Sequence, residues 1–392
     1  MIAPGVVDQP LHGDFRGDTL PSSCLATFAG LNPMRSKNDM NMLAAIGGRH
    51  DFLRQAEHCR SMGSPFVASV LEAVSRQLDH APITAAMITD WPGDRATAAV
   101  AMRVNGALHA LGRGGTPAYL AGLYSGKHDD FDGAISEALS QQDRFIADWI
   151  GYPTQTNEVA RAAAIMAALM TAHRRWGMPF ELLELGSSCG LNLNLARYAY
   201  KLGPVCAGDA SSTVRIEPEW RGTPPPVSQI RIVAARGVDL RPLKASEMAD
   251  RDRLQSFAWA DQPARSSRLE AALQIAIDHP PRVDRADAGV WLAQRLAERQ
   301  EAGCCRVVMH SMLLQYLREK DRRDLTAMIM SAGARATVDR PLVRISFEWT
   351  PQRREVQLRL TCWPRGETMV LAVCHPYGDW VEWREPPSND VE

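Results

Sequence analysis

The chain has 392 residues, which at about 150 residues per domain corresponds to two or three domains and allows a large buried core. Lys and Arg number 44 against 45 Asp and Glu, a formal net charge of -1, so no field of one sign favours nucleic acid or an anionic membrane as partner. A hydrophobic share of 45% and a charged share of 23% are those of an ordinary soluble globular protein, which excludes a chain disordered throughout, a collagen and a coiled-coil rod.

The stretch from Met1 to about residue 48 mixes Pro, Gly, Ser, Asp and Asn without a sustained period and is expected to be a flexible extension. Its start, MIAPGVVDQP, has no basic segment followed by an apolar one, so no secretory signal is read and a cytoplasmic protein is expected. From His50 the spacing becomes helical: Phe52, Leu53, Ala56 and Cys59 share a face, and Ser64-Pro65 marks the start of a second helix. Further helical patterns cover Thr97 to Leu111, Phe131 to Ile150 and Thr156 to Trp176, so residues 49–176 read as an all-α domain. Its longest apolar stretch, Ala162 to Ala172, falls short of the roughly 18 residues a membrane span needs.

After Gly177 short apolar runs alternate with helical patterns. Strands are expected at Phe180 to Leu185, Ile230 to Ala234, Arg282 to Arg285 and Arg306 to His310; helices are expected at Leu191 to Tyr200, Leu254 to Ile277 with a break near Pro263, and Leu313 to Ser331. This alternation predicts an α/β domain over 177–392 with a parallel sheet covered on both faces. The runs LVRISFEW, VQLRLTCW, TMVLAVC and WVEW have no helix between them and are expected to finish the sheet as antiparallel strands. The eight cysteines contain no C-x-x-C pair and the histidines no H-E-x-x-H, so free thiols and no local metal motif are expected.

The stretch ELLELGSSCGLNLNLARY places Glu184 at the end of the first strand, followed by Gly186, three small residues and Gly190. In an open parallel sheet ligands sit beyond the carboxyl ends of the strands, and glycines there admit close approach of the backbone. G-x-G-x-x-G is absent; E-x-G-x-x-x-G suits a nucleoside without a diphosphate. Asp239, at the end of the second strand, is placed to accept two ribose hydroxyls, Asp287 after the third to meet an adenine edge or to cap a helix, and His310 ends the fourth. Gln155-Thr156-Asn157-Glu158 opens a helix and offers polar groups to a substrate.

LELGSSCG, the acid in GVDLRP, the later DA and VVMHSMLLQYL resemble successive elements of the class I S-adenosylmethionine-dependent methyltransferase fold, a Rossmann-like sheet with antiparallel C-terminal strands. More closely, RQAEHCRSMGSP, QTNEVARAA, ELLELGSSCGLNLN, EWRG, RGVDLRPL, HPPRV with RADA, VVMHSMLLQYL and HPYGDWVEW resemble an uncharacterised bacterial family, domain of unknown function 2332. The broader resemblance implies S-adenosylmethionine at Glu184, Gly186, Ser188, Gly190, Asp239 and Asp287 and methyl transfer to a small-molecule acceptor, with His310 or Glu158 as base if the acceptor must lose a proton. Two alternatives stand beside it. G-S-S-C-G also matches the nucleophile elbow G-x-S-x-G, with Ser188 as nucleophile, His375 as base and Glu348 orienting it. A non-catalytic nucleoside-binding regulator would keep the same ligand site.

Overall fold

The computed structural model describes residues 37–384, with side chains from 48 onward. Helix α1 (Lys37–Ser61) begins inside the stretch read from sequence as an extension; residues 1–36 lie outside the described residues. There follow α2 (Pro65–Gln77), α3 (Pro82–Thr89), α4 (Val100–Gly114), α5 (Ala118–Tyr124) and α6 (Phe131–Ile150). Val67, Val70, Leu71 and Val74 recur at helical spacing on α2 and are buried in the cluster that these helices share. Proline opens α2, whose first turn is served from a distance: Asp261 accepts from the Ser64 hydroxyl and the Phe66 backbone N–H.

Helix α7 (Ala162–Trp176) is buried at every position from Ala162 to Met170, as expected of a helix that is apolar all round. It belongs to the core of the sheet, not to the cluster of α1 to α6. The two cores therefore meet in the loop after α6, ahead of the change at residue 177 read from the alternation of elements.

The sheet region contains β1 (Phe180–Leu185), β2 (Ala199–Leu202), β3 (Val205–Gly208), β4 (Arg215–Ile216), β5 (Glu219–Arg221), β6 (Ile232–Asp239), α8 (Met248–Phe257), α9 (Pro263–Asp278), β7 (Val283–Arg285), α10 (Ala288–Ala297), β8 (Cys305–Ser311), α11 (Glu319–Gly333), β9 (Leu342–Trp349), β10 (Val356–Trp363), β11 (Glu367–Cys374) and β12 (Trp380–Trp383). The helix expected over Leu191 to Tyr200 is instead a 3-10 turn, Leu191–Arg197, running into β2, which pairs with β3 and β4 in a small separate sheet. Tertiary packing overrides the helical spacing there: Tyr198 and Tyr200 turn inward and donate their hydroxyls to the carbonyls of Leu191 and Leu195.

The main sheet has the order β7-β6-β1-β8-β9-β10-β11-β12-β5. From β7 to β9 all neighbours are parallel, and from β9 to β12 all are antiparallel. The protein is thus mixed α/β with a large, mostly parallel central sheet. α7, α9 and the 3-10 turn cover one face, α10 and α11 the other. The chain leaves β1 toward β6 and β7, then returns to β8 on the other side, so the switch point lies between β1 and β8. The α1 to α6 layer is docked through α4 and α8, where a Cβ on Gly106 would lie 2.7 Å from the Phe257 ring.

Candidate functional site

Beyond β1 the chain reverses through three left-handed residues, Gly186 (φ 69), Ser188 (φ 55) and Gly190 (φ 73). Glycine adopts this conformation freely; serine pays for it and must be held. It is held from both sides. Asp239, at the end of the neighbouring β6, accepts the Ser188 N–H at 2.9 Å with one carboxylate oxygen and the Arg241 N–H at 2.9 Å with the other. The Ser188 hydroxyl donates to Gln155 Oε1 at 2.7 Å, while Gln155 Nε2 donates to the Arg241 carbonyl at 2.8 Å. Asn157 Oδ1 accepts from the backbone of Cys189 and of Leu191, at 3.1 and 3.2 Å. Asn157 is itself left-handed, at φ 36.

The two glycines also answer to packing. A Cβ on Gly186 would lie 2.9 Å from Leu313, and one on Gly190 would lie 2.7 and 2.8 Å from Val283 and Pro281. Those sides of the turn are filled by protein, and its Ser188, Gln155 and Asp239 side is the polar one.

Glu184 lies beneath the turn, 2% exposed. Burial, with Asp239 adding repulsion, pushes its carboxyl up to about 8, so at neutral pH the group is largely protonated. Asn192 Nδ2 reaches one of its oxygens at 3.5 Å; the other oxygen and Asn192 Oδ1 have no partner among the described residues. Cys189 is buried and its thiol is pushed up to about 12, so it is no nucleophile at neutral pH.

The remaining candidates have structural partners. Asp287 is exposed and caps α10, accepting from Gly289 N and Val290 N. His310 is 1% exposed and both ring nitrogens are engaged. Arg344, which can only donate, reaches Nε2, so Nδ1 carries the proton and donates to Glu348 Oε1 at 2.6 Å. Burial lowers the pKa of His310. Glu158 is held by Arg265 at 2.9 Å and by Arg268 at 3.6 Å; the cavity beside it, about 10 Å³, has room for a single water.

The hydrolase grouping is not assembled. The Ser188 hydroxyl is bonded to Gln155, His375 faces Asp379 at 3.0 Å, and Glu348 serves His310 and the backbone of Leu313 and Leu314. Sequence reasoning placed Glu184, the glycine turn, Asp239 and Gln155 to Glu158 near one another but missed Asn192 and Arg344. Their only signal was polarity inside apolar runs, LNLN and LVRI.

The fold and this turn define a mixed α/β protein with a polar, strained turn at the switch point of its parallel strands. The chain belongs to the family described as an uncharacterized protein conserved in bacteria, domain of unknown function 2332, which matches residues 49–383. No curated protein and no solved structure matches it. No helix among the described residues is long and apolar enough to cross a membrane.

Proposed function

We propose that this protein binds S-adenosylmethionine at the carboxyl ends of β1 and β6 and transfers its methyl group to a small-molecule acceptor, in a Rossmann-like sheet of the class I methyltransferase kind. One observation carries the reading: backbone strain converges on the switch point. Five non-glycine residues have positive φ among the described residues, and three of them, Ser188, Asn157 and Met312, sit on the turn after β1, against it, and on the turn after β8, respectively. Such strain persists where the surroundings enforce it, and it concentrates at sites that bind or react.

The residues present fit the group. Each Asp239 oxygen accepts one backbone N–H and keeps lone-pair capacity, which suits two vicinal hydroxyls. Glu184, buried with an unpartnered oxygen, suits a ligand that brings positive charge or a donor. When bound, the cofactor supplies a methyl carbon already activated by a sulfonium. The chain's own part is alignment and exclusion of water. A cation in the crevice favours ionised Glu184, so uptake below about pH 8 releases a proton. His310 and Glu158 serve as positioning residues in this reading, because their polar atoms are committed to Glu348, Arg344, Arg265 and Arg268. The acceptor is then one whose lone pair is free at neutral pH.

Calorimetry with S-adenosylhomocysteine and S-adenosylmethionine tests the proposal. Saturable binding is expected, weakened by Asp239→Ala roughly tenfold or more, the worth of a charge-assisted hydrogen bond. Absence of heat and of any thermal shift overturns it. Fluorophosphonate labelling abolished by Ser188→Ala would overturn it in favour of a hydrolase. Binding without turnover across a broad acceptor panel would leave a regulatory nucleoside-binding protein.

A further inference from the structure

Four of the arginines that form no ion pair among the described residues are Arg103 on α4, Arg161 at the end of the 3-10 turn before α7, Arg241 two residues past Asp239, and Arg253 on α8. They belong together in space. Arg253 and Arg241 lie over the ring of Tyr152, at 4.7 and 5.6 Å. Arg103 donates to the carbonyl of Ile150, and its charge is repelled by Arg253 and Arg241. Tyr316, on the turn after β8, lies near both Arg103 and Arg161. Arg241 is bound into the candidate site itself, since its carbonyl accepts from Gln155, the partner of Ser188.

The acids nearby are committed elsewhere. Glu158 pairs with Arg265 and Arg268, Asp239 with two backbone N–H groups, and Asp250 with the N–H of Lys244. Arg161 is 7% exposed, and among the described residues only its Nε has a hydrogen-bond partner, the carbonyl of Pro376. Burial depresses the pKa of Arg103 to about 10, which still leaves it cationic at neutral pH. Arg103 spends Nε and Nη1 on the carbonyls of Ala98 and Ile150, and Arg253 spends Nη2 on that of Trp149, whereas the Arg241 guanidinium has no hydrogen bond among the described residues; the N–H groups left over are of the kind that bind carboxylate or phosphate. Glu158 attracts Arg161 and Asp250 attracts Arg253, but neither forms an ion pair with it; guanidinium groups gathered in a partly desolvated place with no ion pair of their own are costly to the fold alone, and an anionic ligand offsets that cost.

We propose that this arginine cluster, with Tyr152 and Tyr316, binds an oxyanion, a carboxylate or phosphate carried by a small molecule, and that this molecule is the acceptor held against the cofactor site. The assignment to an acceptor rests on the function proposed above; the oxyanion site does not.

The test uses the full chain with inorganic phosphate and with citrate as probes, at ionic strength held constant with sodium chloride, followed by thermal shift and calorimetry. Saturable binding of at least one probe is expected, weakened roughly tenfold by Arg253→Met and by Arg241→Met. Arg241 is exposed, so its variant folds whatever becomes of the others. A response to phosphate alone assigns a phosphate ester, and a response to citrate alone a carboxylate. No response beyond that to chloride, or one unchanged in both variants, overturns the proposal. S-adenosylhomocysteine titrated into the same samples separates the two readings. If it binds and neither oxyanion does, the oxyanion site fails and the cofactor reading stands; the reverse result sinks the cofactor reading and leaves the oxyanion site. Mutual exclusion of phosphate and S-adenosylhomocysteine overturns the assignment to a separate acceptor.

Discussion

The turns after β1 and after β8 are built alike and finished differently. Each follows a central parallel strand, contains a left-handed non-glycine residue, Ser188 or Met312, and is tied down by a carboxylate from the neighbouring strand. Asp239 of β6 accepts the N–H of Ser188; Glu348 of β9 accepts those of Leu313 and Leu314. The difference lies in what completes each carboxylate. Glu348 is buried and closed by His310, with Arg344 behind it, so its hydrogen-bonding capacity is spent within the protein. Asp239 is half-buried and bound only to two backbone N–H groups, those of Ser188 and Arg241. One device thus serves as a structural clamp on one side of the switch point and leaves binding capacity on the other.

The largest expected effect breaks the closed turn. Glu348→Ala strands the His310 N–H and two backbone N–H groups in a buried place, and a loss of about 3–5 kcal/mol in chemical denaturation is expected. Asp239→Ala should cost only about 1–2 kcal/mol of stability, because water reaches the half-buried groups it frees, while nucleoside binding falls at least tenfold. Equal destabilisation by the two substitutions would erase the distinction drawn between the turns.

A smaller effect is read through pH. The Glu184 pKa is raised in the folded protein to about 8. Between its unfolded value and 8 the folded state therefore binds the extra proton, and stability falls as pH rises through that window. His310 and His109, whose pKa values burial lowers, the latter to about 4, act oppositely: stability is lost as pH falls below about 6.5. The two trends oppose each other below 6.5, so the Glu184 contribution stands alone between about 6.5 and 8. Glu184→Gln should flatten the decline there by up to about 1.4 kcal/mol per pH unit. Identical slopes for the parent and the variant would show that Glu184 is already ionised.

The smallest effect concerns the strain. Ser188→Gly gains the conformational freedom that φ 55 demands and loses the bond to Gln155, so stability should change by no more than about 1 kcal/mol. Met312→Gly removes a side chain that is 6% exposed and should cost about 2 kcal/mol or more. A large loss from Ser188→Gly would mean that its hydroxyl, and not the backbone, organises the open turn.

Elements with strong local signals were legible in the sequence. Phe180 to Leu185, Arg306 to His310 and the four tail strands lie where apolar runs placed them, and Glu184, Gly186, Gly190 and Asp239 lie at the strand ends expected of them. Leu191 to Tyr200 was misread because its helical spacing was outweighed by two tyrosines that anchor inward. The assignment of α7 was likewise beyond the sequence, since an apolar helix fits either core until its neighbours are known.

By itself, then, the sequence determined the succession of strands and helices and the loop on which polar and glycine residues gather, because period and turn chemistry are local. Only the tertiary structure decided which of those residues are spent and which remain open. His310 and Glu158 are closed by partners 34 to 110 positions away, and Arg103, Arg161, Arg241 and Arg253 come from four separate segments. Charge pairing depends on distance in space, and a chain with a net charge near zero can still concentrate unpaired cations at one place.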